Sequence, residues 1–314
     1  MSPRKQLPRI RRWLLALLLM QQGSAHALMA GAWPDSPAAR VDANRAASPW
    51  AGVGSISAAG QTFSGALVAR DYVLTAAHVA AGLVPGHATF NLNAGGDLSE
   101  QVAISNVFVH PGYRGVDRNH VANDIALIKL AQPVPDGVPI YGLYRNRLPP
   151  GATLTMVGYG ASGQGDLGVS RRADPAVKRV GKNVADNLGP GGNGSNAQAV
   201  YYFDFDGPDA AKNRMGGLTL GNRTETSLAD GDSGSPAFVR DRSGHWLLAG
   251  VNTFRFGPAA TFGNGGGGQN VATYAEWIDG ILLAPATPIP EPDVAMLLPL
   301  GALFLAEKFR RRKK

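Results

Sequence analysis

Ser233 lies in the run Asp230-Gly231-Asp232-Ser233-Gly234-Ser235-Pro236. A serine hydroxyl is a weak nucleophile unless a neighbouring base takes its proton and N–H donors await the oxyanion that forms. Gly231 and Gly234 suit a tight turn that exposes the hydroxyl and aims backbone amides at one point. Alone, such a string is as often an ordinary surface turn. Two further stretches supply what a reactive serine needs. Leu74-Thr75-Ala76-Ala77-His78 carries an imidazole, and Asn123-Asp124-Ile125-Ala126-Leu127-Ile128 carries a carboxylate. Singly, His78 reads as a satisfied core histidine and Asp124 as a turn residue opening a strand. Together a hydroxyl, a base and an acid that orients the base can perform acyl transfer.

The chain order His78, Asp124, Ser233, with these flanking residues, resembles that of trypsin-like (chymotrypsin-fold) serine endopeptidases over roughly residues 48–283. The resemblance implies that Ser233 is the nucleophile and His78 the general base that later protonates the leaving amine. Asp124 would hold the imidazole tautomer, and the backbone N–H groups of Gly231 and Ser233 would form the oxyanion hole. It also implies a protein or peptide substrate and no cofactor. Six residues before the nucleophile, at the base of the specificity pocket, stands Ser227. A neutral residue there offers no partner for a Lys or Arg side chain, so cleavage after uncharged residues is expected. Asn252-Thr253-Phe254 would pair with substrate, and Arg255 stands where a glycine often leaves the pocket open. It would narrow the pocket, reach an acidic substrate group, or simply be solvated. In such enzymes a newly cut amino terminus usually pairs with the aspartate before the nucleophile, Asp232 here. No Ile-Val-Gly-Gly occurs, and Arg40-Val41-Asp42 is the nearest cut site, so the partner of Asp232 is left open.

The elements that must position these residues are short apolar runs among 41 glycines and 22 prolines, with no long amphipathic helix before the end of the domain. The composition favours an all-β globule. The resemblance sharpens this to two antiparallel six-stranded β-barrels, residues 48–140 and 153–284, joined by a linker at 141–152. Strands are expected at 49–56, 62–68, 72–75, 89–92, 102–110 and 124–130. In the second half they are expected at 153–160, 177–184, 201–206, 237–240 and 246–251. Residues 163–166 and 189–196 read as loops. Tyr201-Tyr202-Phe203-Asp204-Phe205-Asp206 alternates ring and acid, which directs Asp204 and Asp206 to solvent. With Asp209 they could ligate calcium, but a solvated strand edge is the preferred reading and no metal is expected. Tyr274, Trp277, Ile278 and Ile281 share helical spacing, so a C-terminal helix closes the second half. No cysteine is present. The position after His78 is Val79, and with Phe63 it would form an apolar pair where relatives carry a disulfide.

The net charge of +7 belongs to the two ends. Residues 1–27 hold five Lys/Arg and no acid, and residues 290–314 hold six Lys/Arg and three acids. Residues 28–289 are left with 19 bases and 20 acids, so no basic nucleic-acid surface is implied. The basic start, the apolar run Trp13–Met20 and the small residues of Ala25-His26-Ala27 read as a signal peptide over 1–27, cut by signal peptidase. Residues 28–47 follow as a loose lead-in. At the other end Pro290-Glu291-Pro292, an apolar stretch and a Lys/Arg cluster resemble a PEP-CTERM sorting signal. The resemblance implies an exosortase-type processing enzyme and a membrane association of residues 285–314 before processing. The apolar stretch, Val294–Ala306, is only about 20 Å as a helix against a hydrocarbon core of about 30 Å. The chain is therefore expected outside the cell or at its surface. The rival reading from another class is a catalytically silent surface or biofilm-matrix binding protein on the same scaffold. A stress protease-chaperone would need a further peptide-binding domain after Leu283.

Overall fold

The computed structural model describes residues 28–117, 120–192, 196–257 and 260–284. The expected signal peptide and sorting segment lie outside them.

In the first half six antiparallel strands form a closed barrel. They are β1 (Val53–Ala58), β2 (Gln61–Ala69), β3 (Tyr72–Thr75), β4 (Ala88–Leu92), β5 (Glu100–Val109) and β6 (Ala126–Leu130), hydrogen-bonded in the order β1-β2-β3-β6-β5-β4. β2 to β5 begin within two residues of their expected positions and β1 four residues later, and residues such as Val53, Leu67, Val73, Phe90, Ile104 and Ile128 are buried. The 124–130 strand starts later than expected, at Ala126, which leaves Asp124 in the connection before it. A single short helical turn, α1 (Ala77–Ala80), follows β3. Val79 is buried in it, whereas Phe63 on β2 is half-buried and pairs with Ile56 of β1.

The second half is a seven-stranded antiparallel sheet that curls without closing by backbone bonds. Its strands are β7 (Ala152–Gly158), β10 (Arg179–Ala185), β11 (Asn187–Gly189), β12 (Val200–Asp204), β13 (Pro236–Arg240), β14 (Trp246–Phe256) and β15 (Gly265–Asn270). They lie in the order β10-β7-β13-β14-β15-β12-β11, one strand more than the expected six. Across the seam the Asn183 side chain of β10 donates to the Asp204 and Thr226 carbonyls, each at 2.7 Å. Of residues 163–166, expected as a loop, Gly163 and Gln164 belong to β8 (Ser162–Gln164), which pairs with β9 (Gly168–Arg171), and 165–166 lie in the turn between them. β15 was not expected at all. Its glycines are buried because the Phe254 and Phe256 rings lie over them: a β-carbon on Gly267 would come within 2.5 Å of the Phe254 ring. The helix α2 (Val271–Leu282) buries Val271, Tyr274, Ala275 and Ile278. The chain divides after Ile278 into two compact units, and the described part of the second, residues 279–284, carries the last helical turn. No described helix is long and apolar enough to cross a membrane.

Two expectations are corrected. Residues 28–47 are not loose. Leu28 and Met29 are fully buried, Leu28 with Leu154, Tyr201 and Phe203, and Met29 with Phe205 and Phe262. Ala30 bridges Gln164 and Val41 bridges Arg179. The Lys178 ammonium is buried between the Trp50 carbonyl (3.0 Å) and Asp42 (3.3 Å). Two fully buried apolar side chains contribute about 1.5–3 kcal/mol each, enough to seat the segment. Asp204 and Asp206 are likewise buried rather than solvated. Asp204 accepts the Met215 amide (2.7 Å), and Asp206 lies beside Glu225, which accepts the Asp206 amide (2.9 Å). Among the described residues no three His, Cys, Asp or Glu side chains are placed to hold a metal ion.

Candidate active site

His78 stands in the first turn of α1, directly after the extended residue Ala76. The N–H groups of a first helical turn have no intrahelical acceptor. The His78 amide instead donates to Asp124 Oδ1 at 2.8 Å, while its Nδ1 meets Asp124 Oδ2 at 2.7 Å. An ionised carboxylate only accepts, so against it a neutral imidazole carries its proton on Nδ1 and keeps the Nε2 lone pair. Asp124 is fully buried and the imidazole remains part-exposed.

Residues to which the sequence reading gave no part in the site hold the backbone just before Asp124. Asn123, before it, takes φ +62° and donates its amide to the Tyr274 hydroxyl at 2.9 Å. That hydroxyl donates to Gln269 Oε1 (3.0 Å), and the Gln269 amide group donates to the Val121 carbonyl (2.7 Å). Burial, with a smaller push from the Asp124 charge, raises the Tyr274 pKa to about 12, so it stays a donor. Gln269 lies at the end of β15 and Tyr274 in the first turn of α2 directly after it, and no local pattern links the two to Asn123.

Ser233 sits on the turn the glycines predicted. Gly231 and Gly234 both take positive φ, +94° and +81°. A β-carbon on Gly234 would lie 2.0 Å from Thr75 Oγ1 and 3.1 Å from the Ala76 amide, so only glycine lets the turn seat against the end of β3. The Ser64 amide donates to the Ser233 carbonyl (3.0 Å) and the Ser64 hydroxyl to the Gly231 carbonyl (3.1 Å). The structure thus docks the Ser233 turn two residues ahead of His78. Among the described residues the Ser233 hydroxyl makes no hydrogen bond, to His78 or to any other group. Hydroxyl–imidazole contacts commonly tighten only when substrate is bound.

Beside Ser233 opens a cavity of about 180 Å³. Leu228, Ala229 and Phe254 give it apolar walls, and Asn252 and Thr253 line one side. Ser227, the expected pocket base, does not line it; it is buried, and its carbonyl accepts the Met29 amide (2.9 Å). Its neighbour Leu228 does line the cavity. Glu225 offers no substitute acid, since both its oxygens accept hydrogen bonds, one from the Asp206 amide, the other from the Leu220 amide and the Thr219 hydroxyl. Arg255 does line the cavity and pairs with Asp230 at 3.3 Å, both part-exposed. β13 covers β14 only as far as Val251, so β14 presents an edge from Thr253 onward on that side.

A family model described as Trypsin matches residues 39–278. The CLIP domain-containing serine protease B4 of Anopheles gambiae is 27% identical over 236 residues, 68% of this chain and 60% of the relative. The chain therefore spans about 60% of that relative's length. Among solved structures, neuropsin, a serine protease expressed in the limbic system of mouse brain, superposes with a TM-score of 0.54 at 17% identity. That match covers 76% of this chain and 96% of neuropsin. The superposition shows a chymotrypsin-like fold, and family and fold together support a peptidase function. The match to the family model extends over well above half of the sequence: the chain belongs to the trypsin family.

Proposed function

We propose that this protein is an exported serine endopeptidase that works through His78, Asp124 and Ser233. The observation that carries the reading is the double grip of buried Asp124 on His78, through Nδ1 and the backbone amide, two residues beyond the seat of the Ser233 turn. In this reading Ser233 Oγ attacks the scissile carbonyl as His78 Nε2 takes its proton. The carbonyl electrons move to oxygen, where the Gly231 and Ser233 amides stabilise the charge. Collapse expels the amine, protonated by His78, and leaves an acyl-serine. Water then repeats the sequence, with His78 taking its proton and returning one to Ser233.

Substrate backbone would add along the Thr253 edge of β14, in the manner of strand addition. The apolar cavity wall and the engagement of Arg255 by Asp230 support cleavage after uncharged side chains. Export rests on the signal-like residues 1–27, and surface retention before exosortase-type processing rests on the PEP-CTERM-like end. The test is hydrolysis of a denatured protein by the purified chain. Wild type should cut it, and Ser233→Ala and His78→Ala should not. Equal cutting by Ser233→Ala would end the assignment. The unjoined Ser233 hydroxyl is what favours the second reading, a catalytically silent binding protein; a folded wild type that never cuts would establish it.

A further inference from the structure

Asp232, immediately before the nucleophile, is fully buried. Its Oδ2 accepts the Ala229 amide (3.1 Å) and its Oδ1 the Gly160 amide at a long 3.3 Å. Two amides do not neutralise a buried carboxylate, and an unpaired charge in the interior is strongly destabilising. The sequence contains no motif for a freshly cut amino terminus to meet it.

The strand ladder supplies another cation. A β-carbon on Gly158 would lie 2.3 Å from Asp232 Oδ1, so the carboxylate rests on the bare α-carbon of that glycine. The residue directly opposite Gly158 in the β7–β10 ladder is Arg179. Opposed residues of an antiparallel pair project to the same face with β-carbons about 4.5–5.5 Å apart. Arg179 therefore leaves β10 on the face where Asp232 lies. Its side chain is buried, its Nε donates to the Pro37 carbonyl (3.1 Å), and its buried Nη1 has no hydrogen-bond partner among the described residues. The other charges near the pair are peripheral: Asp174 and Arg171 near Arg179, and Asp230 near Asp232, all exposed. The nearest cut site is also closed. Arg40 is buried, ion-paired with Asp35, and donates to the Thr224 and Glu225 carbonyls at 2.9 Å.

We propose that Arg179 is the internal counter-cation of Asp232 and a positioning residue for the Asp230–Gly234 turn, so that the turn is organised in the intact chain with no activating cut. This rests on the endopeptidase reading and names how its nucleophile is held. Arg179 acts through Asp232 and touches no substrate.

The test is the second-order rate at which a fluorophosphonate labels the full chain, measured with thermal midpoint in parallel. Arg179→Met should lower the rate by about tenfold to a hundredfold, the coupling expected of side chains in one network. Arg179→Lys should recover most of it. In an Asp232→Asn background Arg179→Met should cause no further loss. A folded Arg179→Met that labels at the wild-type rate, or a loss that adds in full to that of Asp232→Asn, would overturn the proposal. Should Arg179→Met not fold, terminal sequencing of labelled wild type decides. Labelled chains that still contain Leu28–Arg40 support the proposal, and labelling confined to chains newly cut between residues 28 and 49 overturns it. Wild type that labels in no form at all would instead sink the endopeptidase reading.

Discussion

Asp124→Asn isolates the grip on the imidazole. The variant keeps the size of the side chain and can keep the bond from the His78 amide through its remaining oxygen. The other position, which faces Nδ1 at 2.7 Å, becomes an NH2 group. A donor there either confronts the Nδ1 proton or reverses the tautomer, moving the proton to Nε2, where it blocks acceptance from Ser233. The imidazolium formed during attack also loses its counter-charge. At close range and an effective dielectric of about 20 that loss is worth about 4 kcal/mol, or about a thousandfold in rate. The wrong tautomer adds to it, which brings the expected fall in kcat to about 10⁴-fold with KM little changed. Peptide hydrolysis under saturating and limiting substrate separates the two constants, and nitrogen NMR of the histidine reports the tautomer. A loss below about tenfold in kcat, with Nδ1 still protonated, would refute the role given to Asp124.

Met29→Ala should destabilise the fold by about 2–5 kcal/mol, since Met29 is fully buried among Phe205, Ala229 and Phe262. A denaturation midpoint unchanged from wild type would show that residues 28–30 are not part of the folded unit. Arg255→Ala should raise kcat/KM for substrates with bulkier uncharged side chains at the cleaved position, because Arg255 and Asp230 both line the cavity beside Ser233. An unchanged peptide-library profile would contradict this. Burial is the main cause that raises the Asp206 pKa to about 6. Between the usual carboxylate value and about 6 the folded state holds a proton the unfolded state has released. The stability this confers is full at low pH and fades as pH rises through about 6. Asp206→Asn should therefore gain thermal midpoint relative to wild type on going from pH 4 to pH 8, and an equal difference at both would count against it.

Much of the first barrel was legible because its strands alternate cleanly and its apolar positions bury on one side. The tight turn at Ser233 was legible for a different reason: the glycines flanking Ser233 are local signals of local geometry. What escaped was decided by distant partners. β15 is a strand of glycines, a type depleted in strands, and the choice follows from what crowds it: the Phe256 and Phe254 rings at Gly265 and Gly267, the Phe203 ring at Gly266 and the Tyr201 hydroxyl at Gly268. Asp204 and Asp206 follow an alternation that points to solvent, yet the chain at 214–225 folds over them. The lead-in looked loose because Leu28 and Met29 stand among small residues and prolines with no strand or helix periodicity. Their partners Tyr201, Phe203 and Phe262 lie more than a hundred residues away. Ser227 was placed by counting back from the nucleophile, and such a count carries no information on the Met29 amide that bonds its carbonyl.

If Ser233 is the nucleophile, peptide mapping by mass spectrometry after fluorophosphonate treatment should find a single phosphonyl adduct on the peptide containing Ser233, absent from Ser233→Ala and from heat-unfolded protein. An adduct on another residue, or a folded chain that carries none, would contradict that role.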